Sequence, residues 1–282
     1  MMNARGEIRE FLTSRRARLT PESVGLPSYG QRRVPGLRRE EVAVLAGISV
    51  PYYARLERGD MSKASPSVLD ALARALRLDD AERAHLLDLA RAAGPRGRRA
   101  PAAPEAGTVR PVIRHLVDAV TGAAAFVGND RLDVLAVNRL GRALCPGIVA
   151  SGNLGRFLLL DPAARTFFRD WESAAAAVVA DLRTAAARYP GDRQLTALIG
   201  ELATRSEEFR VRWADHEVML HHSGVKHLRH PVGGDLELNY EQLDLPADPR
   251  LIIFTFSAPP GSPSAEALAF LASWDGASSP SR

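Results

Sequence analysis

The chain of 282 residues is 46% hydrophobic and 25% charged, which excludes collagenous, wholly disordered and membrane-embedded classes of protein and favours two domains. Its formal net charge of +4 is uneven, because residues 1–93 contain 16 Lys and Arg but 12 Asp and Glu. The basic surplus therefore lies in the first third. Lysine occurs only at Lys63 and Lys226, so arginine dominates and favours bidentate contacts to phosphate or guanine. Arginine codon use in a GC-rich genome would explain the same bias.

The sequence lacks the signals of export, membrane insertion and disulfide bonding. No apolar run approaches the roughly 20 residues that a membrane helix needs. The N-terminal stretch MMNARGEIREFLTSRR carries charges where a signal peptide would need an apolar core. Cys145 is the only cysteine, which excludes an intramolecular disulfide and a multi-cysteine zinc site. We therefore expect a cytoplasmic protein that makes no membrane contact.

Residues 1–93 are predicted to form an all-α domain of five helices. Apolar side chains recur at the spacing that places them on one helix face. Ser49 and Ser65 stand where a hydroxyl can cap a helix, and Pro66 fits a first helical position. The expected helices lie near Glu7–Leu19, Arg38–Leu45, Ser49–Arg58, Ser65–Leu76 and Asp80–Ala93.

Residues 94–108 are rich in Gly, Pro and Ala without apolar periodicity, which predicts a linker. After it, residues 109–282 alternate between helical and strand patterns. Two short strands are expected around a turn at Gly128-Asn129, and three more follow near the C-terminus. This pattern predicts an α+β domain with a sheet of about five strands and helices inserted between the first pair and the last three. Helices are expected at Arg110–Val120, Trp171–Arg188 and Gln194–Thr204.

The stretch LRREEVAVLAGISVPYYARLERG has the pattern of two short helices that meet at a turn. Gly47 suits the left-handed conformation that ends the first helix, and Ser49 can cap the second. Tyr53 and Leu56 would then face the core, which leaves the opposite face of the second helix exposed. This is the helix-turn-helix arrangement, whose second helix reads base edges in the major groove.

Side-chain chemistry assigns a role to each exposed position of this motif. Arg55 is the candidate for bidentate contact to guanine, while Tyr52 and its neighbours offer apolar surface to a thymine methyl. Arg38 and Arg39, at the start of the preceding helix, can meet phosphate, whereas Glu57 should pair within the domain. Arg32 and Arg33, on the loop before the motif, lie either near the phosphate backbone or in solvent. The candidate DNA-binding residues are Arg32, Arg33, Arg38, Arg39, Ser49, Val50, Pro51, Tyr52 and Arg55.

The helix pair resembles the Xre/Cro-type helix-turn-helix, with which Arg39 to Ala43, Ala46 to Ser49 and Tyr53 to Gly59 align. Arg39 replaces a glutamine that often contacts DNA in that family. The whole chain is similar to the MmyB-like regulators of actinobacteria. Its N-terminal half carries the matching stretches FLTSRRARLTPESVGLP, GQRRVPGLRREEVAVLAGIS and YYARLERG. Its C-terminal half carries RLDVLAVNRLGRAL, LLLDPAAR, DWE, ELATRSEEFRVRWADHEV, LRHPVGGDLELNYEQLDLP and PGSPSAEAL.

This resemblance implies a helix-turn-helix reader joined to a PAS-like ligand-binding domain, some members of which hold a fatty acid. A small apolar ligand of that kind is the only small molecule that we expect to bind, and no cofactor is predicted. From the residues alone, a sheet covered by helices could enclose an apolar pocket. Val137 departs from the family, which commonly has tryptophan there. The candidate lining residues, each of which has plain core as its alternative explanation, are Phe126, Leu135, Val137, Phe157, Trp171, Trp213 and Phe254.

Other signals favour structural explanations. Five histidines crowd into a short stretch, but the spacing of a zinc-protease motif is broken at Leu220 and the segment has a strand pattern, so no metal ligand is predicted. Nucleophile-elbow and phosphate-loop motifs are absent, so we expect no enzyme and no catalytic residue. The histidines are His216, His221, His222, His227 and His230.

The sequence therefore predicts a transcription regulator that binds double-stranded DNA as a homodimer and senses a small apolar ligand. One recognition helix makes few base contacts, so two copies on an inverted repeat are expected, with centres about 34 Å apart or a multiple of that. Two alternatives remain open. One is a constitutive DNA-binding module whose C-terminal domain only dimerises or recruits a partner, and the other is a DNA-binding module fused to a catalytic domain.

Overall fold

The computed structural model describes residues 4–27, 36–94, 108–215 and 223–273. Within these ranges the chain divides into two compact units. The first begins with five helices and also includes the segment Arg183–Arg193. The second contains a sheet and most of the remaining helices. Most of the predicted linker, together with Arg32, Arg33, His216, His221 and His222, lies outside the described residues.

All five helices expected in the first unit are present. They are α1 (Ala4–Arg18), α2 (Arg39–Ala46), α3 (Val50–Glu57), α4 (Pro66–Ala75) and α5 (Asp80–Ala92), with a 3-10 turn at Glu22–Val24. The serine caps form as expected, because Ser49 Oγ accepts from the Tyr52 amide and Ser65 Oγ from the Val68 amide, each at 3.3 Å.

The helices of the first unit enclose a single apolar core. Each of α1 to α5 contributes buried side chains at helical spacing, and Leu37 and Met61 add to them from the connecting segments. The completely buried members include Ile8, Leu12, Leu37, Val42, Tyr53, Leu56, Leu72, Leu86 and Leu89.

The second unit is α+β, as predicted, and its sheet has five strands. The strands are β1 (Ala124–Asn129), β2 (Val134–Val137), β3 (Ser223–His230), β4 (Gly234–Asp244) and β5 (Leu251–Ser257). All neighbouring strands run antiparallel in the order β2-β1-β5-β4-β3. The first expected pair of strands therefore joins the last three through β1 and β5, at the centre of the sheet.

Nine helices of the described residues begin after the predicted linker. They are α6 (Pro111–Ala119), α7 (Arg139–Leu144), α8 (Pro146–Ser151), α9 (Leu154–Leu160), α10 (Ala163–Phe167), α11 (Trp171–Arg188), α12 (Arg193–Arg205), α13 (Glu207–Ala214) and α14 (Pro263–Ser273). The predicted bounds of α11 are confirmed. The four short helices α7 to α10, and also α13 and α14, were not anticipated from the sequence. No helix of the described ranges combines the length and apolarity that crossing a bilayer requires.

The turn between β1 and β2 lies later than the sequence indicated. Gly128 and Asn129 belong to β1, where they pair with β5, so the prediction of a turn at Gly128-Asn129 is wrong. Asn129 Oδ1 instead accepts from the Arg131 and Asp133 amides at 2.9 and 3.0 Å. This side chain organises the turn that follows, in which Leu132 adopts a φ of 64°.

The two faces of the sheet are filled differently. On one face, α6 packs against β1, β2 and β5 through a continuous cluster that includes Ile113, Val117, Val127 and Ile253. On the other face, the rings of Phe126 and Phe254 lie between the sheet and α11. Phe254 can lie flat against β1 because Gly128 has no side chain, and a Cβ there would be 2.8 Å from the ring.

Asn138 joins α6, β1 and α7 through four hydrogen bonds. Its Nδ2 donates to the carbonyls of Val120 and Ala123 at 2.8 Å each, and its Oδ1 accepts from the amides of Ala125 and Gly141 at 3.0 and 2.7 Å. The side chain is almost completely buried. All four backbone groups would lose their partner if the amide were removed.

Replacing Asn138 by alanine should therefore destabilise the second unit by about 3 kcal/mol, because buried polar groups without partners each cost about 1–3 kcal/mol. Urea unfolding of the purified protein, followed by circular dichroism, would measure this loss. Asn239→Ala, at an exposed position of β4, is the matched control and should change stability by less than about 0.5 kcal/mol. Equal effects of the two substitutions would contradict the role assigned to Asn138.

Candidate DNA-binding surface and ligand cavity

The turn between α2 and α3 has the geometry of a helix-turn-helix. Gly47 is left-handed, with φ 64° and ψ 34°, and its amide donates to the carbonyls of Ala43 and Val44. The Ile48 amide donates back to the Ala43 carbonyl at 3.0 Å, which closes the end of α2. Ser49 then caps α3. The left-handed conformation predicted for Gly47 and the helix cap predicted for Ser49 are thus confirmed.

Helix α3 buries one face and exposes the other. Tyr53 and Leu56 are completely buried, whereas Val50, Pro51 and Arg55 are exposed. Tyr52 and Ala54 are partly buried at the edge. The exposed face begins at the helix N-terminus, which is the part of a recognition helix that meets base edges.

The guanidinium of Arg55 is held at the surface. It lies 4.9 Å from the centre of the Tyr52 ring, in the geometry of a cation–π contact. Its Nε is 3.8 Å from Asp60 Oδ2, and 44% of the side chain is exposed. The group is oriented by two neighbours and still has most of its donors available, as bidentate base contact requires.

Glu57 is a buried carboxylate that links three helices. Its Oε1 accepts from Arg16 Nε at 2.7 Å, its Oε2 accepts from Arg39 Nε, and the Tyr53 hydroxyl donates to Oε1 at 3.3 Å. Arg16 also donates to the Leu37 carbonyl at 2.7 Å. The expectation that Glu57 pairs within the domain is confirmed. Burial alone would raise the pKa of Glu57, but the two arginines outweigh it and hold the pKa below its usual value.

The two arginines at the start of α2 have different environments. Arg39 is tied to Glu57 but remains 57% exposed, so the ion pair leaves part of its guanidinium accessible to phosphate. Arg38 is exposed, and its backbone amide donates to Glu41 Oε2 at 2.6 Å. Its side chain forms no ion pair with any residue that the structure describes.

The second unit contains a cavity between the sheet and α11. It encloses about 90 Å³, several times the roughly 10–15 Å³ that one water molecule needs. Its wall is overwhelmingly apolar, with aromatic rings from β1 and β5 on one side and small side chains of α11, Ala174 and Ala177, on the other. Such a cavity suits an apolar ligand.

Two of the seven sequence-predicted ligand residues, Phe126 and Phe254, line this cavity. Val137 packs beside Phe126, because both side chains converge on Gly141. Leu135 lies against the α6 cluster instead. Trp171 is covered by Arg165 at 3.8 Å and donates to the Leu158 carbonyl at 2.9 Å.

The remaining two predicted residues lie elsewhere in the second unit. Trp213 stacks on Phe209 at 5.1 Å. Phe157 lines a separate cleft of about 440 Å³ beside Cys145. This cleft is the larger of the two, but the charged residues on its wall, Asp161 and Arg229, are exposed to solvent.

Sequence reasoning missed the polar residues that border the cavity, among them Asp181, Lys226 and Tyr240. Asp181 stands four residues after Ala177 in a helix that is otherwise alanine and valine at this point. A lone carboxylate on the apolar face of a helix is a detectable signal. Lys226, one of only two lysines in the chain, gave a second one.

The two described histidines of the crowded segment have local partners. His227 Nδ1 lies 2.9 Å from Asp170 Oδ2 at the surface. His230 is buried, with Nε2 at 3.0 Å from the Ala143 carbonyl and Nδ1 accepting from the Gly233 amide at 2.9 Å. Among the described residues, no three His, Cys, Asp or Glu side chains cluster as metal ligands would.

Fold and site together define a transcription regulator that joins a helix-turn-helix DNA-binding domain to a ligand-binding domain. Residues 7–86 match the family model of a helix-turn-helix domain. Residues 109–271, more than half of the chain, match that of the MmyB-like transcription regulator ligand binding domain. The chain belongs to the MmyB-like transcription regulators. A search of curated proteins found no match.

Because folding holds the pKa of Glu57 below its unfolded value, its stabilising effect is complete above the unfolded pKa of about 4.3 and is lost as the pH falls through the lower, folded value. We expect Glu57→Gln to cost about 1–3 kcal/mol at neutral pH, where hydrogen bonds to a charged group are lost. The variant should also lose stability less steeply than the wild type on acidification. Urea unfolding of both proteins at neutral pH and at about pH 4 would measure the two effects. A Glu40→Gln variant, altered at an exposed position of α2, should behave as the wild type. Parallel acid profiles for wild type and Glu57→Gln would contradict this assignment.

Proposed function

We propose that this regulator recognises a specific operator through α3 and that a small apolar ligand in the cavity of the second unit controls this recognition. The observation that carries the proposal is the exposed face of α3, where Arg55 is held over Tyr52. A guanidinium positioned in advance loses less conformational entropy when it forms its hydrogen bonds. The proposal includes neither an enzymatic step nor a bound cofactor.

Base readout and phosphate anchoring are assigned to different residues. Arg55 contacts guanine O6 and N7, and Val50, Pro51 and Tyr52 contact a thymine methyl. Arg38 and the accessible part of Arg39 contact phosphate at the start of α2. Because these contacts require access to DNA, we propose that the protein acts in the cytoplasm.

Dimerisation follows from the small number of base contacts that one helix can make. A single short helix reads only a few base pairs, so a homodimer on an inverted repeat supplies the missing specificity. The two reading helices then lie about 34 Å apart, or a multiple of that, along the duplex. A change in this spacing would alter operator affinity.

Ligand control rests on the cavity. A constitutive module would be expected to have a solid core, so the apolar space beside α11 favours a sensing function. The apolar chain of a fatty acid or of another amphiphile fits the apolar part of this cavity. Such a ligand changes DNA binding only if it binds one arrangement of the dimer more tightly than another.

Selection of genomic fragments by the purified protein at about 0.15 M salt would test DNA recognition, since non-specific phosphate binding is weak there. We expect the wild type to recover fragments that share an inverted repeat. Arg55→Ala should lose about 1–3 kcal/mol of operator affinity and tolerate any base at one position of each half-site. Fragments without a shared sequence would contradict the proposal.

Arg38→Ala is the matched control in the same experiment, because it removes an exposed arginine outside α3. It should weaken binding to all sequences alike and reduce the salt dependence by the equivalent of about one ion. If the two variants had the same effect on base preference and salt dependence, the division between readout and anchoring would be wrong.

A cavity-filling variant tests ligand control. Ala177→Leu adds volume where α11 lines the cavity, and we expect it to weaken decanoate and decanol binding by about tenfold or more. Operator affinity without ligand should stay unchanged. Ala176→Leu, on the neighbouring residue that does not line the cavity, is the control. Identical operator affinity of the wild type with and without saturating amphiphile would show that the cavity does not control DNA binding.

A further inference from the structure

The cavity of the second unit has a polar end. Most of its wall is aromatic or aliphatic, but Asp181 of α11, Lys226 of β3 and Tyr240 of β4 all border it. The register of the sheet places β3 beside β4 and pairs Gly224 with Tyr240. Lys226 lies two residues further along β3, on the same face as Gly224. Helix and sheet thus bring an acid, a base and a phenol to one end of an apolar space.

Asp181 is a carboxyl group in the interior without a direct partner. It follows Ala174, Ala177 and Val178 on the helix face that lines the cavity, and it keeps some accessible surface there. It forms no hydrogen bond or ion pair with any residue in the described ranges, and only the charge of Lys226 acts on it favourably. A carboxyl group buried without a hydrogen-bond partner destabilises the folded state unless a ligand supplies that partner.

The ammonium group of Lys226 also lacks a direct polar partner among the described residues. Its ammonium lies 5.4 Å from the centre of the Tyr240 ring, a cation–π contact that uses none of its three N–H donors. Within the part of the chain that the structure describes, it has no acceptor within ion-pair distance. Asp181 and Lys226 sense each other's charge without touching. The gap between them is open to the cavity.

We propose that this gap is the head-group subsite of the ligand cavity and that Asp181 selects an uncharged head that both donates and accepts hydrogen bonds, such as an alcohol or a primary amide. The proposal rests on the ligand-sensing function proposed above and adds the head-group chemistry. The head donates to the Asp181 carboxylate and accepts from Lys226 Nζ. The apolar chain then extends along Ala177 toward Phe126 and Phe254.

A carboxylate head is disfavoured at this subsite because it would place a second anion beside Asp181. Two carboxylates in one dry site can coexist only if they share a proton. Burial raises the pKa of Asp181 to about 7 and the charge of Lys226 opposes this increase. A fatty acid therefore binds with uptake of a proton, and its affinity falls as the pH rises through this value, whereas an alcohol or amide gains affinity when Asp181 ionises.

Other charged groups near the subsite are already engaged. Asp133 borders the same cavity, but its two oxygens accept from Asn153 Nδ2 and Asn129 Nδ2 at 2.9 Å each. Asp170 also acts on Lys226, but it is exposed and contacts His227. Tyr240 donates to Gln242 at 3.4 Å, and burial beside Asp181 raises its pKa, so it stays neutral. Asp181 is thus the residue that decides which head group is accepted.

The test is to titrate the full-length protein with decanol, decanamide and decanoate, which share one chain length and differ in head group, by calorimetry at about pH 6 and about pH 8.5. At the higher pH we expect decanol and decanamide to bind about tenfold or more tightly than decanoate. At the lower pH this difference should shrink. Comparable binding of all three compounds at the higher pH would overturn the proposal.

Asp181→Asn identifies the cause. The amide can donate to a carboxylate, so this variant should bind decanoate about tenfold more tightly than the wild type at about pH 8.5 and lose the pH dependence. Asp118→Asn removes an exposed carboxylate from α6, on the other face of the sheet, and should behave as the wild type. If both variants bind decanoate as the wild type does, the head-group role of Asp181 is wrong while ligand sensing stands. If none of the three compounds binds, ligand sensing by this cavity falls, and the head-group subsite with it.

Discussion

The DNA-binding surface depends on one buried carboxylate. Glu57 sits at the C-terminal end of α3 and holds Arg16 of α1 and Arg39 of α2 at the same time. A buried charge of this kind is strongly destabilising when a partner is lost, so the three helices are fixed relative to one another. The exposed face of α3, which starts at Val50, inherits its orientation from this contact.

The same contact leaves Arg39 available for a second interaction. One side of its guanidinium neutralises Glu57, while more than half of the side chain remains accessible. Phosphate binding to Arg39 would therefore act on the pair that fixes α3. The orientation of α3 and the positive charge at the start of α2 therefore both depend on the side chain of Arg39.

In the second unit, the central constraint is the unequal filling of the sheet. The face under α6 is closed by branched aliphatic residues, whereas the face under α11 meets a helix built mostly from alanine and valine. Small helix residues opposite aromatic rings leave space, because the side chains cannot meet across the layer. The cavity is thus a consequence of the alanine-rich sequence of α11. Asp181 and Lys226 make one end of it polar.

The elements that the sequence predicted are those with local causes. The five helices of the first unit, the left-handed Gly47, the Ser49 cap and helix α11 all follow from caps, turns and apolar spacing within a few residues. Helices α7 to α10 have five to seven residues each, too few for periodicity to distinguish them from loops. The turn between β1 and β2 was predicted too early in the chain. Gly128 and Asn129 are the residue types of a tight hairpin turn, but here they end β1, and Asn129 stabilises the following turn through its side chain.

The position of the cavity could not be predicted from the sequence, for a different reason. Aromatic residues of a sheet can be assigned to a core from their spacing, but which of them border an empty space depends on the helix across from them. Phe126 and Phe254 were predicted as candidates together with Trp171 and Trp213. The ring of Trp171 instead packs against Arg165, and that of Trp213 against Phe209. The polar end requires knowledge of which strand lies beside β4, and that is a long-range property of the topology.

The only thiol of the chain is protected by its position in the fold. Cys145 is buried between α7 and α8, and its burial raises its pKa, so it stays protonated and out of contact with solvent. Oxidants and electrophiles react with thiolates that they can reach. The thiol is therefore protected from both kinds of reagent for as long as the second unit stays folded.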